Sequence, residues 1–413
     1  MAKTLITPRE SIWMAGYASR TKPSEGVRQE IFSKALALRD GNGRTVVIVT
    51  LDLVGISREQ AAEIAAQCLG KFKLERQQIL FNASHSHSGP LAMERESYRL
   101  PPDQVPVIER YGRELINNVV RTVAAALENM APAELAFEQG FAGFAVNRRR
   151  VGNRQYPGPV DQDVPVLAVR GADGKLRAVV AGYACHATVL SDYQINGDWP
   201  GYGQKELERA NPGAVALFVA GCGADSNPLP RRTVELAQTY GRVFASAVGE
   251  VLEGKMRPVR GNLIAAFETI DVPFRTPPTR QELEERLKDK SATPRRHAER
   301  LLRILEQDGK LPTTYPYPIH IIRFGDAVKM IALGGEVVVD YALRLKGLHG
   351  WNDTWVAGYS NDVMAYIPSE RVLREGGYEG GGAMLYQNHP GPFGEGIEET
   401  IVRAAGSLVA KTR

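Results

Sequence analysis

The chain has 413 residues, of which 43% are hydrophobic, 24% charged and 8% aromatic; this is the make-up of a globular protein and excludes collagen, a coiled coil and a wholly disordered chain. Its 51 basic and 47 acidic residues leave a net charge of +4, too small a surplus to suggest a nucleic-acid-binding stripe. At about 150 residues per domain the length allows two or three domains, and 41 glycines with 25 prolines point to a loop-rich α/β design.

In chain order, residues 45–53 (TVVIVTLDL) are a β-branched run suited to a buried strand. Ser57 opens an amphipathic helix, with Gln60 three residues on as a capping box. Residues 78–82 read as a second buried strand, and 105–129 carry helical periodicity. Short strands follow at 133–141, 164–170 and 176–185. Pro200 suits the first turn of a helix that runs to Ala210. The apolar stretch 214–220 is a buried strand, and 233–252 a helix.

Residues 281–307 are dense in charge at helical spacing and read as one or two solvated helices, broken near Thr293 and Pro294. They form a helical insertion over about 277–310 that is also a candidate cover for a cleft. Gly325-Asp326 marks a hairpin between 319–324 and 327–333. A last helix closes the chain near 396–411. Alternating strands and helices with hairpins predict a mixed α/β fold, sheets of mixed strand direction covered by helices, in one large domain spanning 1–413.

Cys68, Cys185 and Cys222 form no C-x-x-C pair and read as inert buried thiols. No apolar run reaches the roughly 18 residues of a membrane span, and the N-terminal MAKTLITPRE lacks the apolar core of a signal peptide. The sequence therefore reads as cytoplasmic, or as the mature form of a secreted or periplasmic protein with its signal removed.

Seven histidines are present, and two share the window Ser84-His85-Ser86-His87-Ser88, directly after a strand. In extended chain, alternate side chains share a face, so His85 and His87 are expected to project together, as two metal ligands or as a ligand beside a proton carrier. A hydrogen-bonded polar loop is the plainer alternative. His186 closes another apolar strand, and Asp198 precedes a helix as either its cap or an orienting acid for a histidine. Ser226 lies in a small-residue loop after a strand, without the G-x-S-x-G elbow of a serine hydrolase. Glu336 follows an apolar strand, as a third ligand or a helix-start acid. The H-x-H-x-D-H signature of metallo-β-lactamase-like hydrolases fails after His87, no H-E-x-x-H occurs, and His297 and His320 sit poorly for a barrel amidohydrolase.

Several segments together resemble the neutral, non-lysosomal ceramidase family. They are Trp13-Met14-Ala15-Gly16-Tyr17, Asn82-Ala83-Ser84-His85-Ser86-His87-Ser88-Gly89-Pro90, Asn147-Arg148, Cys185-His186-Ala187-Thr188, Gly223-Ala224-Asp225-Ser226, Gly335-Glu336, Gly358-Tyr359-Ser360-Asn361, Tyr366-Ile367-Pro368-Ser369 and Gly377-Tyr378-Glu379-Gly380. They fall in family order along nearly the whole chain. The resemblance implies the family's catalytic domain alone, without its C-terminal β-sandwich. It implies one zinc ion, held by His85, His186, Glu336 and Tyr366. His87 matches the family's second motif histidine, Arg148 its substrate-side arginine, Ser226 its site serine and Tyr378 its second tyrosine. One departure is the loop Gly-Ala-Asp-Ser-Asn-Pro, where the family reads Gly-Asp-x-Ser-Pro-Asn.

The implied activity is zinc-dependent hydrolysis of an amide in a ceramide-like N-acyl substrate, a step of lipid metabolism. Zinc lowers the pKa of a bound water to about 7. His87 would carry the proton, Arg148 and Tyr378 would stabilise the oxyanion, and Ser226 would position the substrate. Two alternatives stand beside it: the same centre acting on an ester, lactone or carbamate, and an inactive protein that binds acyl ligands.

Overall fold

The computed structural model describes residues 1–93, 100–150 and 157–412. Most strands fall into three sheets. The first orders Ala2–Leu5, Phe32–Arg39, Thr45–Leu51 and Ile79–Ala83. The second orders Val215–Ala220, Leu176–Tyr183, Asp163–Gly171, Ala133–Phe141 and Arg257–Pro258. The third orders Leu263–Pro273, Thr314–Phe324, Val328–Leu333 and Thr354–Ala357. Each sheet is antiparallel apart from a single parallel pair: 45–51 with 79–83, 176–183 with 215–220, and 328–333 with 354–357.

Side chains alternate across a strand, and this alternation sets the packing. Leu36, Val46, Ile48 and Leu80 of the first sheet, Leu167, Val180 and Leu217 of the second, and Ile322, Met330 and Trp355 of the third close one central core. The intervening residues face outward onto helices. Val47, Val49 and Phe81 meet the helices Arg58–Phe72 and Gln104–Glu128. Val166, Ala181 and Phe218 meet Asp198–Ala210 and Val234–Glu253. Ile321, Ile331 and Val356 meet Val339–His349 and Ile397–Ala410. Burying one such aliphatic or aromatic side chain contributes about 1.5–3 kcal/mol. The result is the mixed α/β architecture expected from the sequence.

Local signals act where the sequence places them. Ser57 caps the helix 58–72 and exchanges bonds with Gln60 as a capping box. The three cysteines are buried. Among the described residues no helix is long and apolar enough to cross a membrane. One boundary differs. Between the antiparallel strands 263–273 and 314–324 the chain makes two helices, Arg280–Arg286 and Ala292–Asp308, so the break falls at 287–291 and not near Thr293-Pro294. Pro294 instead sits in the first turn after the N-cap Ser291, where a missing N–H costs no intrahelical bond. His297 Nε2 donates to the His389 carbonyl at 2.8 Å and Arg300 to that of Leu385 at 2.7 Å, which fastens the second helix to the Gly382–Tyr386 turn.

Two buried histidines make stability depend on pH. His320 lies in the third sheet with Nε2 on the Gln77 carbonyl at 2.7 Å, and burial and Arg76 push its pKa down to about 3. Burial pushes His297 down to about 4. Both stay neutral in the fold, whereas the unfolded chain takes up protons near pH 6.5. Below that pH the unfolded state binds more protons, so stability is fully present above pH 6.5 and falls with acidification. Denaturant titrations should show a loss on the order of 2–4 kcal/mol between pH 7 and pH 5. A flat profile would show that these rings are protonated in the fold.

Candidate metal centre

The three parallel strand pairs deliver the site. Ligands of α/β folds gather at the carboxyl ends of such strands, and here one chemical group leaves each sheet at that end. His85 follows 79–83, His186 follows 176–183, and Glu336 follows 328–333 across two glycines. Glu336 then pairs in parallel register with Tyr366. The close approach of these two short strands needs Gly335, whose φ is +77° and whose Cβ would stand 2.8 Å from the Ala365 carbonyl oxygen.

His85 and His87 do converge, with ring centroids 4.7 Å apart, but not through the extended chain expected from their spacing. His85 takes φ +59° in the left-handed region, a conformation that costs a non-glycine residue free energy and is retained where surrounding contacts impose it. Their Nε2 atoms lie 3.0 Å apart.

The hydrogen positions on two of the rings follow from their partners. His85 Nδ1 meets the Val54 carbonyl at 2.6 Å, and His186 Nδ1 meets the Gly223 carbonyl at 2.8 Å. A carbonyl only accepts, so each Nδ1 carries a hydrogen, which leaves Nε2, turned inward, as the atom that can bind a metal. Glu336 Oε2 stands 3.1 Å from His85 Nε2 and 3.3 Å from His186 Nε2, yet it makes no hydrogen bond. Tyr366 Oη is 3.4 Å from His186 Nε2. Burial and Arg148 push the His186 pKa down to about 4, so that ring is neutral at pH 7. Lone pairs facing one another at these distances repel unless a cation lies between them.

The donor set fits zinc. Donors about 2.0–2.1 Å from a tetrahedral ion stand roughly 3.3–3.4 Å from one another, close to the spacing found here. His85, His87 and His186 also form a buried metal-competent group, with their ligand atoms within 4.8 Å. The outer bonds separate the three rings. Carbonyls orient His85 and His186 as metal-binding histidines require, whereas His87 Nδ1 is buried without a partner. Burial and its two histidine neighbours hold His87 well below its ordinary pKa, and the Tyr17 ring packs on its edge at 4.9 Å.

The remaining residues named from the sequence gather on one side. Arg148 donates to Tyr366 Oη at 3.1 Å and to Glu379 Oε1 at 2.6 Å. Burial disfavours its charge, but Tyr366 and Glu379 outweigh that and keep the guanidinium ionised. Tyr378 packs on the Tyr366 ring at 5.2 Å and is 49% exposed. Ser226 lies one layer back: its carbonyl accepts the His186 amide at 2.9 Å, and its buried hydroxyl has no partner. Asp225 accepts from Asn147 Nδ2 at 3.0 Å and from the Val339 amide at 2.9 Å, joining the residue before Arg148 to the helix that follows Glu336. Asp198 orients no histidine; it accepts from the amides of Leu190 and Trp199 at 2.8 and 2.7 Å and so fixes the 189–199 loop. The motifs around residues 358–361 and 377–380 also carry Tyr359 and Glu379, whose roles the sequence does not reveal. Tyr359, at φ +49°, lays its ring 4.4 Å from that of His85, its buried hydroxyl unpartnered. Only its neighbours in space reveal this.

Comparison with known proteins follows the same lines. The family model for neutral/alkaline non-lysosomal ceramidase, N-terminal, matches residues 5–277. The chain is similar in structure to a neutral ceramidase from Pseudomonas aeruginosa, with TM-score 0.79 and 19% identity over 98% of this chain and 73% of that one. It is also similar to a ceramidase complexed with C2, with TM-score 0.78 and 17% identity over 98% of this chain and 74% of that one. At such identities the structural likeness speaks for the fold, while the family model spans well over half of the sequence. On that match the chain belongs to the neutral/alkaline non-lysosomal ceramidase family.

Proposed function

We propose that this protein is a zinc-dependent amidase that cleaves an N-acyl substrate. Membership of the family supports a hydrolase of amide bonds. The observation that carries the metal is the bare, inward-facing set of His85 Nε2, His186 Nε2 and Glu336 Oε2, one from each sheet, with Tyr366 beside it. Zinc held there would supply Lewis acidity toward water and the amide carbonyl.

The chain's own groups would then divide the work. His87, neutral at pH 7, accepts the proton that water gives up as it adds to the carbonyl carbon. It returns that proton to the nitrogen as the C–N bond breaks. Arg148 and Tyr378 line the adjoining cavity and donate to the carbonyl oxygen as negative charge develops, an effect worth about 3 kcal/mol per donor. Glu379 holds the Arg148 guanidinium in place. Ser226 bears on substrate position through the His186 backbone.

The test is metal analysis of protein loaded with zinc and desalted, followed by turnover on matched acyl amides and acyl esters. One zinc per chain, amide cleavage lost with a chelator and restored by zinc, and a slower matched ester are expected. Ester-only turnover would move the reading to an esterase. A metal-free preparation with full activity would remove the centre from the reaction.

A further inference from the structure

Resting on the amidase reading, we infer that the cavity beside Tyr378 selects N-acyl substrates that carry an anionic group, with Arg231 as its binding partner. The cavity is about 580 Å³ and opens where Arg148 and Tyr378 reach it, so it adjoins the candidate centre through Tyr366. Arg149, Asn227, Arg231, Glu375 and Glu379 also line it.

The charges on this wall are not equally committed. Glu379 is held between Arg148 and Arg149, at 2.6 and 2.7 Å. Glu375 accepts from Arg149 at 3.1 Å, from Arg150 at 2.5 Å and from Arg371 at 3.2 Å. Both carboxylates are thus occupied by other arginines. Arg231 is half-buried and meets only the Thr188 hydroxyl, at a long 3.4 Å; it pairs with no carboxylate among the described residues. Burial and the nearby Arg232 and Arg148 disfavour its charge and outweigh the more distant pull of Asp198, so an incoming anion would relieve repulsion as well as form bonds.

Leu229 and Tyr378 are the large apolar side chains on this wall, and a small pocket that Tyr378 also lines is bordered by Pro368, Met384 and Phe393. Of the exposed large apolar side chains among the described residues, only Tyr378 lines the cavity. A further cavity, of about 250 Å³ and bordered by Tyr386, is lined by Arg296 and by Arg300, whose guanidinium is already bonded to the Leu385 carbonyl. Binding a long acyl chain calls for a contiguous apolar patch. A carboxylate or similar oxyanion close to the scissile amide matches a guanidinium fork instead.

The experiment compares zinc-loaded wild type, Arg231→Gln and Arg231→Lys. The substrates are N-butanoylglycine, with the anion on the amine side, N-propylsuccinamic acid, with it on the acyl side, and neutral N-propylbutanamide. Wild type should favour at least one anionic amide over the neutral one by about 10- to 100-fold in kcat/KM. Arg231→Gln should collapse that ratio, mainly through KM, and Arg231→Lys should keep part of it. The favoured anionic substrate tells which half of the substrate faces Arg231. Calorimetric binding of the uncleaved sulfonamide counterpart of the favoured amide, N-butanesulfonylglycine for an amine-side anion or 3-(N-propylsulfamoyl)propanoic acid for an acyl-side one, should weaken about 10- to 100-fold in Arg231→Gln.

Equal binding by wild type and Arg231→Gln, or cleavage of all amides without a charge preference, overturns the anion site and leaves the amidase reading intact. Arg231-dependent binding with no amide cleaved overturns the amidase reading and leaves the anion site intact.

Discussion

Replacing His186 with alanine is expected to empty the metal centre and to lower kcat/KM on an N-acyl amide by about 10³-fold or more. Several kcal/mol of transition-state stabilisation from a bound ion translate into a factor of this size. The substitution removes an imidazole whose Nε2 faces both Glu336 and Tyr366. The backbone bonds at that position, from the Trp199 indole to the His186 carbonyl and from the His186 amide to Ser226, involve no imidazole atom and can persist. The variant should therefore fold, which its denaturant midpoint at pH 7 reports. Zinc content near zero with a near-normal midpoint is the expected pair of results. A variant that keeps its zinc and its turnover would place the ion elsewhere.

His87→Gln should separate metal from catalysis. This ring lacks the carbonyl partner that orients His85 and His186, and a general base contributes typically about 10²- to 10⁴-fold. The expected result is one zinc per chain with kcat lowered by about that factor and KM little changed. If zinc leaves together with activity, His87 is a ligand, and the buried group of three histidines would be the centre. Metal analysis of the two variants side by side therefore distinguishes ligand from base.

Much of the frame could be read from the residues because local chemistry and tertiary context agree there. The run at 45–50 is β-branched throughout, and Ser57 with Gln60 states a helix start in its own side chains. The strand Phe32–Arg39 gave no such signal. Lys34 and Ser33 interrupt its pattern although both are buried, and only the fold shows why Lys34 is tolerated: Glu208 and the Ala216 carbonyl take its ammonium at 2.9 and 2.7 Å. Leu263–Pro273 was equally hidden, since its acids and alanines lie on a half-exposed strand at the sheet's edge.

The candidate site was legible as residue types at strand ends, and the resemblance supplied the grouping. Periodicity could not supply it, because its members are distant in sequence and one of them, His85, leaves extended geometry altogether. The pairing of Glu336 with Tyr366, the clamp made by Glu379 on Arg148 and the Tyr359 ring against His85 depend on which strands and loops meet. No local window holds that information.

With one donor leaving each sheet, the centre belongs to no single segment of the chain. A nascent polypeptide that has released only its first two sheets holds the imidazoles of His85, His87 and His186 and lacks the carboxylate of Glu336 and the phenol of Tyr366. On the proposed reading, tight zinc uptake would wait for the third sheet to dock. A seated ion would then rivet the three sheets together, so that its arrival reports a finished molecule.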